Sequence, residues 1–293
     1  MRSIWNDLLG CQVRYYGKKY KTRVIEGGDG PPLIMLHGVG GHAEAYSRNL
    51  KRLSKDFHVL AIDFLWHGLS AKPAFDGAAV PAYVEQIIDL MDSLGYEKAA
   101  IEGESLGGWV ALYMALNRPE RMTKMILNTN AGIVFNKETT DAGIVKIQTA
   151  EGTDLLRERS LKAIENPTLE TCRKRLEWLM ASPDRVTDEL VELRYQIYSD
   201  PETKVSLKAV FEHTFNRDTS AQFRIPENKL AEVTVPTLVL WSDKNPGTGP
   251  DVGKHIASRI PGAEYYCIND AAHWPQWEKP EEHDRVVAEF LRK

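Results

Sequence analysis

The sequence has few cysteines, and none of their spacings indicates a disulfide framework. Its 293 residues contain three cysteines, an odd number. Cys11, Cys172 and Cys267 lie far apart in the chain. This distribution matches neither a small disulfide-rich secreted domain nor a zinc motif. We therefore expect reduced thiols, no bound metal and a cytoplasmic location.

Long apolar runs and a charge imbalance are also missing. The longest apolar stretches, LIMLH (33–37) and TLVLW (237–241), are strand-sized and too short to span a membrane. Residues 1–10, MRSIWNDLLG, have Asn and Asp where a signal peptide has its apolar core. The net charge is only −4, and no basic stripe indicates nucleic acid. We expect a small-molecule substrate, with neither nucleic acid nor a membrane as partner.

What the sequence does contain is an alternation of short apolar runs with helical spacing. Runs without a polar face are typical of strands in a parallel sheet that helices cover on both sides. The predicted strands are LIMLH (33–37), HVLAID (58–63), AAIEGES (99–105) and KMILNTN (124–130). This order predicts an α/β protein with a mostly parallel sheet.

The alternation is interrupted once. From residue 133 to residue 229 the pattern is almost wholly helical, and strand–helix alternation resumes with VTVPTLVLW (233–241). We therefore predict a core built from residues 1–132 and 230–293, with a helical cap at 133–229 inserted into it. Because both ends of the cap return to the sheet, it is not an appended domain.

A nucleophile is indicated by GESLGG (103–108), which lies between a predicted strand and a predicted helix. A serine on such a sharp turn projects its hydroxyl above the edge of the sheet. Gly103 and Gly107 allow the close approach of strand and helix that the turn requires. The alternative is a glycine-rich turn in which Ser105 only caps the helix. The context favours Ser105 as a nucleophile.

An activated serine needs N–H groups that hold the developing oxyanion. One is expected from Leu106, directly after the nucleophile. The other is expected from Val39, in the loop HGVGGHA (37–43) that follows a predicted strand. The alternative for this loop is a phosphate site, but it lacks the lysine and the full glycine spacing of such sites.

The best candidate for the base is His273, in DAAHWPQWE (270–278). It follows a predicted strand late in the chain, and serine first and histidine last is the order of an α/β-hydrolase triad. His37 precedes the oxyanion loop and is expected to be structural.

The whole chain resembles the α/β-hydrolase superfamily. The motifs that carry the resemblance are LIMLHGVGG, AIDFLWHGLS, GESLGG, PTLVLWSDKNP and AAHWPQWE. Among the branches it is most similar to the meta-cleavage-product hydrolases, which use water and no cofactor to cut a carbon–carbon bond in ring-fission products of catechols. The resemblance also leaves open a homo-oligomer.

The branch resemblance rests on HWPQWE and on the cap helix ELVELRYQIYSDPE. It implies that Arg194 and Trp274 contact the substrate. The alternative for Arg194 is a surface charge paired with Glu192. Two positions depart from the branch, because Glu104 and Ala45 stand where it often has asparagine. One interpretation has Glu104 facing away from the site.

The triad acid is ambiguous. The superfamily usually has its acid four residues after an aromatic such as Trp241, and that position is Asn245. An amide oxygen can orient a histidine but cannot stabilise the imidazolium by charge. Asp243 is the nearest carboxylate on the same loop. We therefore favour Asp243 as the acid, with Asn245 as a neutral orienting residue as the next option.

The resemblance leads to a carbon–carbon bond hydrolase as the first hypothesis. A carboxylesterase or lactonase that uses the same serine–histidine pair is the second. A third is a ligand receptor that has lost catalysis, but the retained serine, histidine and glycine-rich loop argue against it.

Overall fold

The computed structural model describes residues 3–141, 143 and 150–293. Residues 1–2 of the predicted core, and residues 142 and 144–149 of the predicted cap, lie outside the described residues.

An eight-stranded sheet forms the centre of the protein, in the order β1-β2-β4-β3-β5-β6-β9-β10. The first two strands pair antiparallel, β2 also runs antiparallel to β4, and the remaining neighbours are parallel. The strands are β1 (Gln12–Tyr16), β2 (Thr22–Gly27), β3 (Pro32–Leu36), β4 (His58–Ile62), β5 (Ala99–Glu104), β6 (Met122–Asn128), β7 (Ile133–Val134), β8 (Ile225–Pro226), β9 (Thr237–Ser242) and β10 (Glu264–Ile268). The predicted α/β fold with a mostly parallel sheet is confirmed.

Helices follow most of the parallel strands, as the alternation predicts. The helices are α1 (Ile4–Asp7), α2 (Ser47–Leu53), α3 (Ala79–Leu94), α4 (Leu106–Asn117), α5 (Lys137–Asp141), α6 (Ala150–Glu165), α7 (Leu169–Glu177), α8 (Asp188–Ser199), α9 (Pro201–Phe215), α10 (Arg217–Ser220), α11 (Pro250–Arg259), α12 (Pro275–Glu278) and α13 (Pro280–Arg292). Gly95 ends α3 in the left-handed conformation, with φ of 76°, which glycine adopts without steric cost.

The sheet is buried on both faces, which explains the unbroken apolar runs. In β3, Ile34 and Leu36 face the layer that contains α3, α4 and α11. Leu33 and Met35 alternate with them and face the layer that contains α2 and α13. Because successive residues of a strand point to opposite faces, such a strand has no position for an exposed polar residue.

The helices α5 to α10 lie between β6 and β9, where the sequence predicts a cap. The chain leaves and returns at a small parallel pair, β7 with β8. The cap is tied to the loop after β10, because the backbone N–H of His273 donates to the carbonyl of Leu179 at 2.9 Å. Arg185 also donates to the carbonyl of Asp270 at 2.6 Å. These contacts place the cap over the carboxyl ends of the parallel strands, the edge at which open α/β sheets bind ligands.

Candidate active site

Ser105 occupies a strained turn between β5 and α4. Its backbone has φ 53° and ψ −111°, a combination that costs energy and persists only where the surrounding fold imposes it. A Cβ atom on Gly103 would lie 2.1 Å from the carbonyl oxygen of Gly107, and one on Gly107 would lie 2.2 Å from that of Leu36. Side chains are therefore excluded at both glycines, as the motif predicts for a nucleophile on a sharp elbow.

The predicted oxyanion residues stand around this serine. Val39 and Leu106 line the same cavity as Ser105 and His273. The loop that contains Val39 is hydrogen-bonded to helix α8, because the Tyr198 hydroxyl donates to the carbonyl of Gly40 at 2.9 Å. That carbonyl belongs to a residue with φ of 70°. The role of Val39 and Leu106 as hydrogen-bond donors to an oxyanion stays a prediction.

His273 is oriented by Asn245. Its Nδ1 lies 2.6 Å from Oδ1 of Asn245. The amide Nδ2 of Asn245 donates to the carbonyl of Thr248 at 2.9 Å and to its hydroxyl at 2.7 Å. These two bonds turn the amide so that its oxygen faces the imidazole. Nδ1 of His273 therefore carries the proton, and Nε2 is the nitrogen left for chemistry.

The preference for Asp243 is corrected by this geometry. Its carboxylate accepts a hydrogen bond from the backbone N–H of Ala271 at 3.2 Å, and its own N–H donates to Ile268. Asp243 is exposed and joins the loops after β9 and β10, whereas Asn245 is 7% exposed. Asn245, four positions after Trp241, is the residue that contacts His273, and its side chain is a neutral amide.

Glu104 faces the site, so the interpretation that turns it away is wrong. The residue is 1% exposed. Its Oε2 accepts a hydrogen bond from the backbone N–H of Gly38 at 2.7 Å. Its Oε1 lies 3.1 Å from Nε2 of His273. No aligned hydrogen bond to Oε1 occurs among the described residues. The carboxylate thus approaches the imidazole from the side opposite Asn245.

Arg175 is a site residue that the sequence analysis missed. It lies on α7, is 6% exposed, and lines the cavity with Ser105 and His273. Its Nε donates to the Ser160 hydroxyl at 3.0 Å, while its Nη1 has no hydrogen-bond partner in the described part of the chain. Burial lowers the pKa of Arg175 to about 10. The signal was helical periodicity, since buried Cys172 and Leu176 place position 175 on the inner face of this helix.

Arg194 is buried too, which excludes the surface-charge alternative. It is 2% exposed, and the expected partner, Glu192, accepts instead from Gln196. Its Nη1 donates to the Tyr198 hydroxyl at 3.2 Å, and its guanidinium lies 5.8 Å from the Trp274 ring. Its Nε and Nη2 have no hydrogen-bond partner in the described part of the chain, although Arg194 is not among the residues that line the cavity at Ser105. The contact of Arg194 and Trp274 with a substrate stays a prediction.

The cavity at Ser105 is small and mostly apolar. Its volume is about 200 Å³, and its walls include Trp109, Trp178 and Phe215. A larger cleft of about 850 Å³ shares Gly132 and other lining residues with it. Trp274 lines a narrow extension beside Ser105 and Glu104. The two spaces therefore lie side by side, with Ser105 in the wall of the smaller one.

Other predicted positions have structural environments. His37 is fully buried; its Nδ1 lies 2.7 Å from the Gly38 carbonyl and its Nε2 accepts from the N–H of Phe64. Burial lowers its pKa to about 3, so it stays neutral and structural, as expected. Ala45 is buried in the apolar core.

Neither a metal centre nor a membrane helix is found in the described ranges. No group of three or more His, Cys, Asp or Glu side chains there has the geometry of a metal site. No helix among those residues is long and apolar enough to cross a bilayer.

Comparison with known proteins identifies the family. The model of the alpha/beta hydrolase fold matches residues 31–280. The chain is 30% identical to 2-hydroxy-6-oxo-6-phenylhexa-2,4-dienoate hydrolase of Comamonas testosteroni, over 92% of this chain and 90% of that protein. It is 29% identical to 2-hydroxymuconate semialdehyde hydrolase of Pseudomonas putida, over 93% and 91%.

The fold agrees with a solved structure. The structure of 2-hydroxy-6-oxo-6-phenylhexa-2,4-dienoate hydrolase from Rhodococcus sp. strain RHA1 superimposes with a TM-score of 0.82 at 24% sequence identity. The superposition covers 97% of this chain and 99% of that one. The resemblance indicated by the motifs is thus confirmed, and the chain belongs to the alpha/beta hydrolase fold family.

Proposed function

We propose that this protein is a serine hydrolase that cleaves a carbon–carbon bond of a 2-hydroxy-6-oxo-dienoate, a meta-cleavage product of aromatic degradation, with water. The observation that carries the proposal is one cavity under the cap that holds Ser105, His273 and the buried cation Arg175. Relatives about as long as this chain, and 30% and 29% identical to it, are named as hydrolases of such dienoates.

The chemistry begins with a proton shift in the substrate. The dienol must become a ketone at carbon 2, and His273 moves the proton from the 2-hydroxyl to carbon 5. Neutral Nε2 can take this proton because Nδ1 is already protonated and faces Asn245. Ketonisation turns the fragment of carbons 1 to 5 into a leaving group, since the electron pair that carbon 5 receives on cleavage is delocalised as a dienolate.

Ser105 then adds to the carbon-6 carbonyl, and its hydroxyl proton passes to Nε2 of His273. The N–H groups of Val39 and Leu106 hold the resulting oxyanion. The bond between carbons 5 and 6 breaks, its electron pair leaves with the hydroxydienoate fragment, and His273 returns the proton to that fragment. Water, deprotonated by His273, attacks the acyl ester on Ser105 and releases a carboxylic acid.

The substrate carboxylate requires a cationic anchor. Arg175 has an unpaired Nη1 within the described residues and a place in the wall of the cavity. Charge-assisted hydrogen bonds from arginine to carboxylate are strong in such a buried setting. Arg194 also has two unpaired nitrogen atoms within the described residues, but it is absent from the wall of this cavity. We therefore assign Arg175 as the anchor, and give Arg194 the supporting role of holding Tyr198 against the oxyanion loop.

The proposal is tested by mixing the purified protein with a yellow meta-cleavage dienolate and following the loss of its absorbance. Fast decay that disappears in Ser105→Ala is expected. A p-nitrophenyl ester and a lactone are assayed in parallel, because an esterase or lactonase needs no ketonisation. Brisk ester or lactone hydrolysis without dienolate decay would move the protein to that second class.

The proposed cellular compartment is inferred from the cysteines. All three cysteines are free thiols, which agrees with a reducing compartment, and we therefore place the activity in the cytoplasm.

A further inference from the structure

The histidine of this site lacks the carboxylate that normally lies on Nδ1. Asn245 occupies that place and orients the ring at 2.6 Å, but an amide carries no charge. When Ser105 gives up its proton, His273 becomes an imidazolium in a largely buried site. In a serine protease, replacing the triad aspartate with asparagine lowers kcat by about 10⁴-fold, because the amide imposes the wrong tautomer and removes the charge that stabilises the imidazolium. Asn245 presents its oxygen to Nδ1 and so keeps the correct tautomer, which leaves only the stabilising charge to be supplied from elsewhere.

Among the described residues, Glu104 is the carboxylate at ion-pair distance from this ring. Its Oε1 lies 3.1 Å from Nε2 of His273, and the residue is 1% exposed, so bulk water screens the pair little. Its other oxygen is fixed by the Gly38 N–H at 2.7 Å. The short link from Glu104 to Ser105 along the chain keeps the carboxylate beside the nucleophile.

The direction from which Glu104 approaches His273 leaves Nε2 available as a proton acceptor. Oε1 is at ion-pair distance from Nε2, yet no aligned hydrogen bond to this oxygen exists in the described structure. A carboxylate off the N–H axis stabilises the imidazolium through space. It does not take the lone-pair direction that must accept the proton of Ser105.

Two arginines of the described residues lie near this pair. Arg175 reaches the cavity from α7; burial lowers the pKa of its guanidinium, Arg194 lowers it further, and Tyr198 and Glu104 raise it. Tyr46 lies on the core side, where burial together with Glu102 and Glu104 raises the pKa of its phenol well above the usual value. The ring also has the neutral side chains of Asn245 and Trp178 as neighbours.

We propose that Glu104 is a positioning residue that supplies the negative charge of the triad from the Nε2 side of His273, while Asn245 supplies only orientation. The carboxylate is displaced from the third triad position to the residue before the nucleophile. This inference rests on the proposed serine chemistry at Ser105, but it does not depend on which substrate the enzyme hydrolyses.

The test uses a serine-directed fluorophosphonate, so that it is independent of the dienoate. The Ser105 Oγ–P bond forms, the P–F bond breaks, fluoride leaves and the serine proton passes to His273. The second-order rate of phosphonylation is measured by intact-protein mass as a function of pH. The proteins compared are wild type, Glu104→Gln, Asn245→Asp and the double variant, each checked for an unchanged thermal melting point.

Glu104→Gln is isosteric and keeps an acceptor for Gly38, so it removes charge alone. Its rate is expected to fall about 100-fold, in the range of a lost electrostatic contact to the reacting centre. The acidic limb of its rate–pH profile is expected at lower pH, because a carboxylate favours the imidazolium. Asn245→Asp alone should move that limb to higher pH, since two carboxylates then flank the ring.

The double variant tests whether a carboxylate on the Nδ1 side of His273 can replace the charge of Glu104. Restoring the charge on the Nδ1 side should recover about ten-fold or more of the rate lost in Glu104→Gln, as expected if either nitrogen can carry the ion pair. A wild-type rate in Glu104→Gln, or a double variant no faster than Glu104→Gln, would overturn the inference. Failure of the dienoate assay with intact phosphonylation kinetics would count against the proposed substrate and leave the role of Glu104 standing.

Discussion

The hydroxyl of Tyr198, on a cap helix, donates a hydrogen bond of 2.9 Å to the carbonyl of Gly40 in the oxyanion loop. Arg194 donates to the same hydroxyl at 3.2 Å. The cap therefore takes part in shaping the oxyanion loop as well as covering it. Gly40 has a positive φ of 70°, a conformation that glycine adopts without steric cost.

Tyr198→Phe should consequently lower kcat by about five- to ten-fold with little change in KM. The expected loss corresponds to one hydrogen bond of about 1 kcal/mol. The measurement is steady-state hydrolysis of the dienolate, or of a p-nitrophenyl ester if that is the better substrate. Tyr195→Phe, at a half-buried tyrosine on the same helix, serves as the control. Equal kcat values in the two variants would show that the loop keeps its shape without Tyr198.

Asn245→Ala and Asp243→Asn separate the two candidates on the loop after β9. Asn245→Ala removes the acceptor that holds His273, and kcat should fall about 10- to 100-fold because the ring loses its orientation. Asp243→Asn keeps an oxygen that can accept from the Ala271 N–H, so its turnover should stay near wild type. A large loss in Asp243→Asn would return that residue to the triad.

Arg175→Met tests the anchor for the substrate carboxylate. Methionine preserves volume and packing but removes the guanidinium. KM for the dienolate should rise about ten- to a hundred-fold, in line with a charge-assisted hydrogen bond of about 1.5 to 3 kcal/mol. Hydrolysis of an uncharged ester should change far less. Arg173→Met, on the same helix but paired with Asp188 at the surface, is the matched control.

His283 predicts a pH dependence of stability that is separate from catalysis. It is fully buried between Glu102, 2.7 Å away, and Asp284, 3.0 Å away. Burial opposes its charge, but the two carboxylates prevail and raise its pKa from 6.5 to about 10. A raised folded-state pKa gives stability that is complete below about pH 6.5 and is lost as the pH rises through about 10.

His283→Gln should therefore lower the free energy of unfolding by about 3 kcal/mol near pH 6, where an ion pair is broken inside the core. The difference from wild type should shrink as the pH approaches 10. Urea unfolding followed by circular dichroism at several pH values gives the comparison. A difference that stays constant over this range would mean that His283 is neutral in the folded protein.

The sheet and the sharp turn at Ser105 were predictable because their causes are local. Apolar runs without alternation identify strands that are covered on both faces, and the glycines around Ser105 mark a turn that admits no side chains. The place of His273 in the same cavity as Ser105 was predictable from its order in the chain.

The details of the site depended on contacts that the sequence does not encode locally. Whether Asp243 or Asn245 reaches His273 is decided by the path of the loop, which Thr248 fixes by accepting from the Asn245 amide. The inward direction of Glu104 follows from its place on β5, on the face it shares with buried Glu102. Arg175 required knowledge of which side of α7 packs against the core, and periodicity was the only signal for that.

The hydrogen bond from the His273 backbone to Leu179 has a consequence for engineering. Exchanging caps between related hydrolases is an obvious route to new specificity, and the inserted segment looks like a module with two clean junctions. Here the backbone of His273, the proposed general base, is hydrogen-bonded to that module, so a transplanted cap would change the position of the imidazole. A chimera that retains residues 179–185 of this chain should keep the base in place, whereas one spliced only at the two junctions should fold and yet turn over slowly.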